Sequence, residues 1–272
     1  MNPVALAFAA FLTAAIGTLG GLGGAILLVP ILVLSGMEAK FAAPLGLVSV
    51  AAGSLAAAPQ QLRARVVNHR LGVATEIVAS SAALVGALVS GFIGQSLLAV
   101  LLGGVALVAA FFGGRRKGIR NLPDPSLTTA DVGETPGTLA GVYPLGIEFV
   151  PYRAKRLPVG LLGMGMAGLI SGLSGVGGGW VKTPTASEVM HVPVKVAAAT
   201  STFTVGVTAA VGLLVYESQG RIVVSDAALV AAAGLVGGTV GVRLQHFLPP
   251  PLVRRGLSFI LAVIGILLIV RR

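Results

Sequence analysis

The chain has 272 residues, of which 55% are hydrophobic and only 10% charged, with no cysteine and a formal net charge of +10. A soluble domain carries about a quarter charged residues, so a water-soluble globule is excluded. The cations cluster in short stretches between apolar runs, which is the pattern of the positive-inside rule and not of a nucleic-acid-binding surface, and the lack of cysteine excludes disulfides and thiolate metal sites.

Apolar runs of membrane-spanning length recur from end to end and are continuous rather than alternating, so the expected class is all-α: a polytopic helical membrane protein, not a barrel. No cleavable leader is expected, because no basic flank precedes the first apolar run at Pro3. That run reaches about residue 35 and is broken at Gly17–Gly24. It is long for one span and short for two, since each needs about 20 residues. Spans are expected at about 42–58, closed by Pro59, then at about 71–93, with Glu76 near its start, and at about 96–112. Residues 113–156 form the long polar segment, bounded by Arg115-Arg116-Lys117 and Arg153-Ala154-Lys155-Arg156. Its Pro, Gly and Thr content argues for a linker without a core of its own, with a weak signal for a short hairpin between Tyr143 and Tyr152. The pattern then restarts with a glycine-broken run from Leu157 to about Met190, followed by spans at about 196–216, 223–244 and 252–270.

The restart is a repetition. Gly21-Leu-Gly-Gly-Ala-Ile-Leu-Leu-Val-Pro30 lies over Gly175-Val-Gly-Gly-Gly-Trp-Val-Lys-Thr-Pro184 at an offset of 154, glycines on glycines and proline on proline. Lys40 then falls on Lys195, Arg70 on Arg221 and Val85-Gly86 on Val236-Gly237. The expected organisation is therefore a first membrane repeat over 1–112, a cytoplasmic polar linker over 113–156 and a second membrane repeat over 157–272. Each half would hold a broken helix pair, read as re-entrant, plus three transmembrane helices. Duplicated halves with broken helices at matching positions are the pattern of secondary transporters, whose substrate site lies near the midplane between the repeats.

Two topologies obey the charge rule. If each broken segment dips in and returns, the halves are inverted and the basic residues split 14 to 4 between the sides, with Lys182 left in the membrane. If it crosses as one broken helix, the halves are parallel and the split is 13 to 5. The inverted version is favoured, because each arm of roughly 15 residues is too short to cross at about 1.5 Å per residue.

The candidate site gathers on the broken segments. Glycines permit backbone angles that a helix cannot hold and leave N–H groups uncovered, and a helix starting after such a break offers an anion site. Gly175, Gly177, Gly178 and Gly179, with Gly21, Gly23 and Gly24, are the candidate cradle; close helix packing is the competing use of small residues in membranes. Lys182 is the candidate cation, since a lysine at a helix centre costs about 3 kcal/mol to insert; an ion pair with Glu188, or snorkelling, is its structural alternative. Trp180 is a candidate wall of the site, and Thr200, Ser201, Thr202 and Thr204 are candidate hydroxyl donors that could equally bond back to their own helix. Glu76 and Asp226 are candidate coupling residues, although a carboxylate near a helix start also suits the dipole. His69, His191 and His246 stand at span ends and read as surface residues.

The Gly-x-Gly-Gly break, the proline after it and then Ala198-Ala199-Thr200-Ser201-Thr202-Phe203, with the broken segment present twice, resemble the sulfite exporter TauE/SafE family. The resemblance spans essentially all of the membrane part. It implies movement of sulfite, organosulfonates or related small sulfur anions across the cytoplasmic membrane. The first copy departs from the pattern, with Pro44-Leu45-Gly46 where the second has Ala199-Thr200-Ser201.

No nucleophile–base constellation, paired-histidine metal spacing or phosphate loop is present, so neither an enzyme nor an ATP-driven pump is expected, and no cofactor or metal. The leading reading is a secondary transporter exporting a small sulfur oxyanion or organosulfonate by alternating access. The alternatives are an anion channel, a transporter of another small carboxylate or oxyanion, and a membrane scaffold without transport. The expected partners are the anionic substrate and the lipid bilayer, with a homodimer left open and nucleic acid excluded.

Overall fold

A computed structural model describes residues 2–19, 24–115, 126–127, 139–145, 148–244, 247 and 250–270. The first five helices are α1 (Pro3–Leu19), α2 (Ala25–Leu34), α3 (Ala39–Arg63), α4 (His69–Ser90) and α5 (Gln95–Arg115). A hairpin of β1 (Ala140–Leu145) and β2 (Glu148–Arg153) follows. The last five are α6 (Leu157–Ser174), α7 (Gly179–Pro184), α8 (Val194–Ser218), α9 (Val224–Leu244) and α10 (Pro250–Val270), with a π-helical turn, Thr185–Val189, directly after α7. Six helices among the described residues are long and apolar enough to cross a bilayer: α3, α4, α5, α6, α8 and α9. Large apolar side chains remain outward-facing, such as Leu214 at 73% and Phe259 at 71% exposure, which suits a surface solvated by lipid tails.

Element boundaries follow the sequence with one correction. The second span does not close at Pro59: α3 continues to Arg63 with Pro44 and Pro59 both inside it. Proline removes one backbone hydrogen bond, and a membrane helix lined by neighbours tolerates that loss.

Residues 155–190 double back on themselves. Lys155 N donates to Met190 O at 2.8 Å. Gly160 abuts Met190, Gly163 abuts Thr185 and Gly178 abuts the Ala167 carbonyl, so α7 and the π turn run antiparallel to α6 and return to its starting end. The reversal needs glycine: Gly175 and Gly177 sit at φ +70° and +81°, the left-handed region that a side chain disfavours.

The bundle interlaces elements from both ends of the chain. α1 packs along α9, α4 along α6, α5 along α10 and α3 along α8. The seams are made of small residues: a Cβ added at Gly168 or Gly172 would strike the carbonyls of Ala79 or Ala83, and one at Gly237 those of Phe11. α3 and α8 are antiparallel, because Arg221 Nε donates to Lys40 O at 3.0 Å while Ser54 Oγ donates to Thr202 O at 2.8 Å. Arg221 ties one end of the bundle together, its Nη1 donating to Ser90 Oγ at 2.7 Å and Gln219 Oε1 at 3.0 Å with the guanidinium over the Tyr216 ring.

At the other end lies the hairpin. It has no core of its own, as a polar segment should not, yet it is not free. Tyr143, Val150, Tyr152 and Ala154 are buried in one apolar cluster with Leu71, Met164, Ala186, Met190 and Val196 of the bundle. Gly141 faces Tyr152 across the strands, where any side chain would collide with the phenol.

Candidate functional site

Below the hairpin is a cavity formed where α4, α6, α8 and the returning arm converge. α8 supplies Ala197, Thr200, Ser201 and Thr204, α4 supplies Leu71 and Thr75, and α6 supplies Met164. Lys182 and Ala186 line it from α7 and the π turn. The spacing of 200, 201 and 204 places three hydroxyls on one helical face. The π turn follows Pro184, whose missing N–H interrupts the regular ladder at the position that aims this arm into the cavity. In this conformation the cavity narrows to about the size of a water molecule.

Lys182 is 2% exposed, and its ammonium has two partners here. Nζ lies 2.6 Å from Glu76 Oε2 and donates to Thr208 Oγ1 at 2.6 Å. The other carboxylate oxygen, Oε1, accepts from Thr208 Oγ1 at 2.5 Å and from Ser80 Oγ at 2.7 Å. The alternative partner Glu188 is exposed and does not take this role. Breaking such a buried pair by removing one partner leaves an uncompensated charge, at a cost of about 3–5 kcal/mol.

Thr200, Ser201 and Lys182 are thus brought together, with Thr204. Thr200 Oγ1 accepts from the Asn68 N–H at 3.0 Å, and Asn68 Nδ2 donates to the Tyr152 hydroxyl at 2.9 Å, which links the cavity wall to the hairpin. Ser201 Oγ is buried without a hydrogen-bond partner among the described residues, a donor and acceptor with nothing to bind. Thr202 stands off the cavity and bonds back to Ala198 O at 2.9 Å.

The glycines are placed elsewhere. Gly175 meets the Ala43 backbone of α3 and Gly177 meets Val50, so both are used for close approach, and none of Gly175, Gly177, Gly178 and Gly179 lines the cavity. Gly24 likewise packs on the α1 backbone at Ala14, while Gly21 and Gly23 lie outside the described residues. Trp180 is buried in the apolar cluster it shares with Leu98, Leu102 and Leu261, away from the cavity. Asp226 is half-buried in the first turn of α9, where the helix dipole favours it. His69 and His191 are exposed, and His246 lies outside the described residues.

The family model described as "Sulfite exporter TauE/SafE" matches residues 6–268. The chain belongs to this family. No curated protein and no solved structure matches it. Membership of the TauE/SafE family makes it a multi-pass membrane protein, in agreement with the six helices long and apolar enough to cross a bilayer. The family match runs through both broken segments and both sides of the Lys182–Glu76 pair, so the buried charges lie inside the family's own domain.

Sequence reasoning missed the partners in this site. Thr75, Ser80 and Thr208 are not among the sequence candidates, and the partner of Lys182 is Glu76 rather than Glu188. A signal was present: Lys182 and Glu76 are a base and an acid set within apolar runs, and such charges in lipid seek each other.

Proposed function

We propose that this TauE/SafE member is a secondary transporter that exports a small sulfur oxyanion or organosulfonate across the cytoplasmic membrane by alternating access. The observation that carries the reading is Lys182: a buried lysine lining a cavity whose other polar groups are the hydroxyls of Thr75, Thr200, Ser201 and Thr204. That donor set fits a tetrahedral or pyramidal oxyanion, which can accept a charge-assisted hydrogen bond from the ammonium and neutral ones from the hydroxyls. The helix-terminus cradle plays a supporting part at most, since the glycines hold the bend that aims Lys182 and do not line the cavity.

The duplicated reading assigns 1–112 and 157–272 to two copies, with 113–156 between them. Its support is the antiparallel course of α3 and α8, which the repeat makes equivalent, and the exchange of partners that sets α1 on α9 and α6 on α4. Re-entrance of the broken segment is supported by the hydrogen bond that brings Met190 back to Lys155. The two copies are unequal at the site. Subtracting the offsets 154, 155 and 151 from Lys182, Thr208 and Arg221 carries the first two onto Leu28 and Gly53, and adding 151 to Glu76 gives Ala227. The cluster of Lys182, Thr208 and Glu76 draws on both halves, and the residues that correspond to it in the other copy are apolar.

The anion-channel alternative requires a continuous path. The pinched cavity and the hairpin seated beside it favour a gated carrier instead. Thermal unfolding of purified protein with sulfite, sulfate, thiosulfate, sulfoacetate and taurine tests the reading, because a ligand that binds the native state raises stability by mass action. A stabilising anion whose effect disappears in Lys182→Met supports it; no stabilisation by any of them counts against it.

A further inference from the structure

The ammonium that is to bind an anion is already neutralised. Glu76 Oε2 sits 2.6 Å from Lys182 Nζ, both groups are buried, and an incoming anion would share that ammonium with a carboxylate. Like charges about 4 Å apart at a protein-like effective dielectric repel strongly enough to cut affinity on the order of a thousandfold. Protonating Glu76 removes the conflict. The surroundings suit both states of the acid: Thr208 and Ser80 donate to Oε1 when it is ionised, and each hydroxyl can turn to accept when the acid carries a proton.

We propose that Glu76 is the binding site of a second transported species, a proton, which loads together with the anion. The site would then cycle between an empty state, holding the closed Lys182–Glu76 pair, and a loaded state, holding a neutral Glu76 and an ammonium–anion pair. In both states the net charge of the buried cluster is the same for a monovalent anion, so neither state carries an uncompensated charge through the bilayer. The proton comes from the solution on the loading side, binds a Glu76 oxygen, and leaves with the anion on the other side. No other charged group is positioned for this among the described residues. α6 carries no titratable side chain, and α8 brings only exposed Lys195 and Glu217 and the Tyr216 phenol, which donates to Gly172 O. Glu188 of the π turn and Arg70 and His69 at the start of α4 are exposed. This inference rests on Lys182 being the anion's partner.

The test uses purified full-length protein in liposomes with a trapped pH indicator. Thiosulfate and methanesulfonate are the main probes, being fully ionised near neutrality so that any proton that moves has been carried by the protein; sulfite is the third. With wild-type protein, an imposed gradient of a transported anion should drive protons in the same direction, and apparent anion affinity should fall as the pH is raised. In Glu76→Gln the anion should still move, at an altered rate, with the proton signal gone and the affinity flat with pH. Anion flux through wild-type protein with no accompanying proton overturns the coupling even if the variant does not fold. So does an undiminished proton signal in Glu76→Gln. Failure of all three anions to bind or move would instead overturn the transport reading itself.

Discussion

Lys182 and Glu76 were each legible as unusual residues, but not as a couple. Sequence distance hides the relation: 106 positions separate them, and only the doubling back after Gly178 brings α7 against α4. The pairing changes what substitutions should do. Lys182→Met leaves a buried carboxylate without its cation and should lower unfolding stability in detergent by about 3–5 kcal/mol. Adding Glu76→Gln should restore most of that loss, because the double variant buries no lone charge. If the double variant is no more stable than the single, the pair is not the closed unit described. Ser201→Ala should behave differently. Its hydroxyl has no partner to lose, so stability should hold within about 0.5 kcal/mol, while affinity for the transported anion should fall by about tenfold or more, the worth of a hydrogen bond to a charged group. Calorimetric titration of the variant checks both expectations together.

At the scale of elements, spans were readable because a run of about 20 apolar residues has few other meanings. The glycine breaks were readable for the same reason, since nothing but a reversal or a close approach explains such density in a helix. What the glycines do was not readable. Sequence allowed both an anion cradle and tight packing, and the choice depends on whether α3 lies against the break; it does, with Ala43 and Val50 on Gly175 and Gly177. Gly175→Ala should therefore destabilise by at least about 1–2 kcal/mol from its left-handed backbone alone, with a clash on the Ala43 carbonyl added. Gly53→Ala, in a helix with open space around the new methyl, should be neutral or slightly stabilising. Similar melting temperatures for the two variants would contradict the packing.

The hairpin was harder still, because its strands draw their core from other elements. Tyr152 makes its docking pH-sensitive. Burial pushes the phenol pKa up to about 12 from an ordinary 10.0. Between those values the released hairpin would have lost its proton while the docked one keeps it, so docking weakens as pH rises through that window and is unaffected below it. Phenolate absorbance on alkaline titration should show late ionisation, and Tyr152→Phe should diminish that late component.

For the whole molecule, topology is the property that charge counting left nearly tied. The structure sets the start of α3 beside the end of α8. In a chain without cysteine, single cysteines report sidedness cleanly. Glu38→Cys and Glu217→Cys should be modified by an impermeant reagent from one face of intact cells, and Arg63→Cys and Lys155→Cys only after permeabilisation. Modification of Glu38→Cys and Glu217→Cys from opposite faces would restore the parallel arrangement.

The unequal halves carry a consequence for stoichiometry. A duplicated carrier could in principle offer two berths related by its internal axis, one per copy. Under the proposed duplication, Leu28, Gly53 and Ala227 correspond in sequence to Lys182, Thr208 and Glu76, and hydrocarbon cannot hold a dehydrated anion. Each polypeptide should accordingly saturate with a single equivalent of anion and show a hyperbolic isotherm.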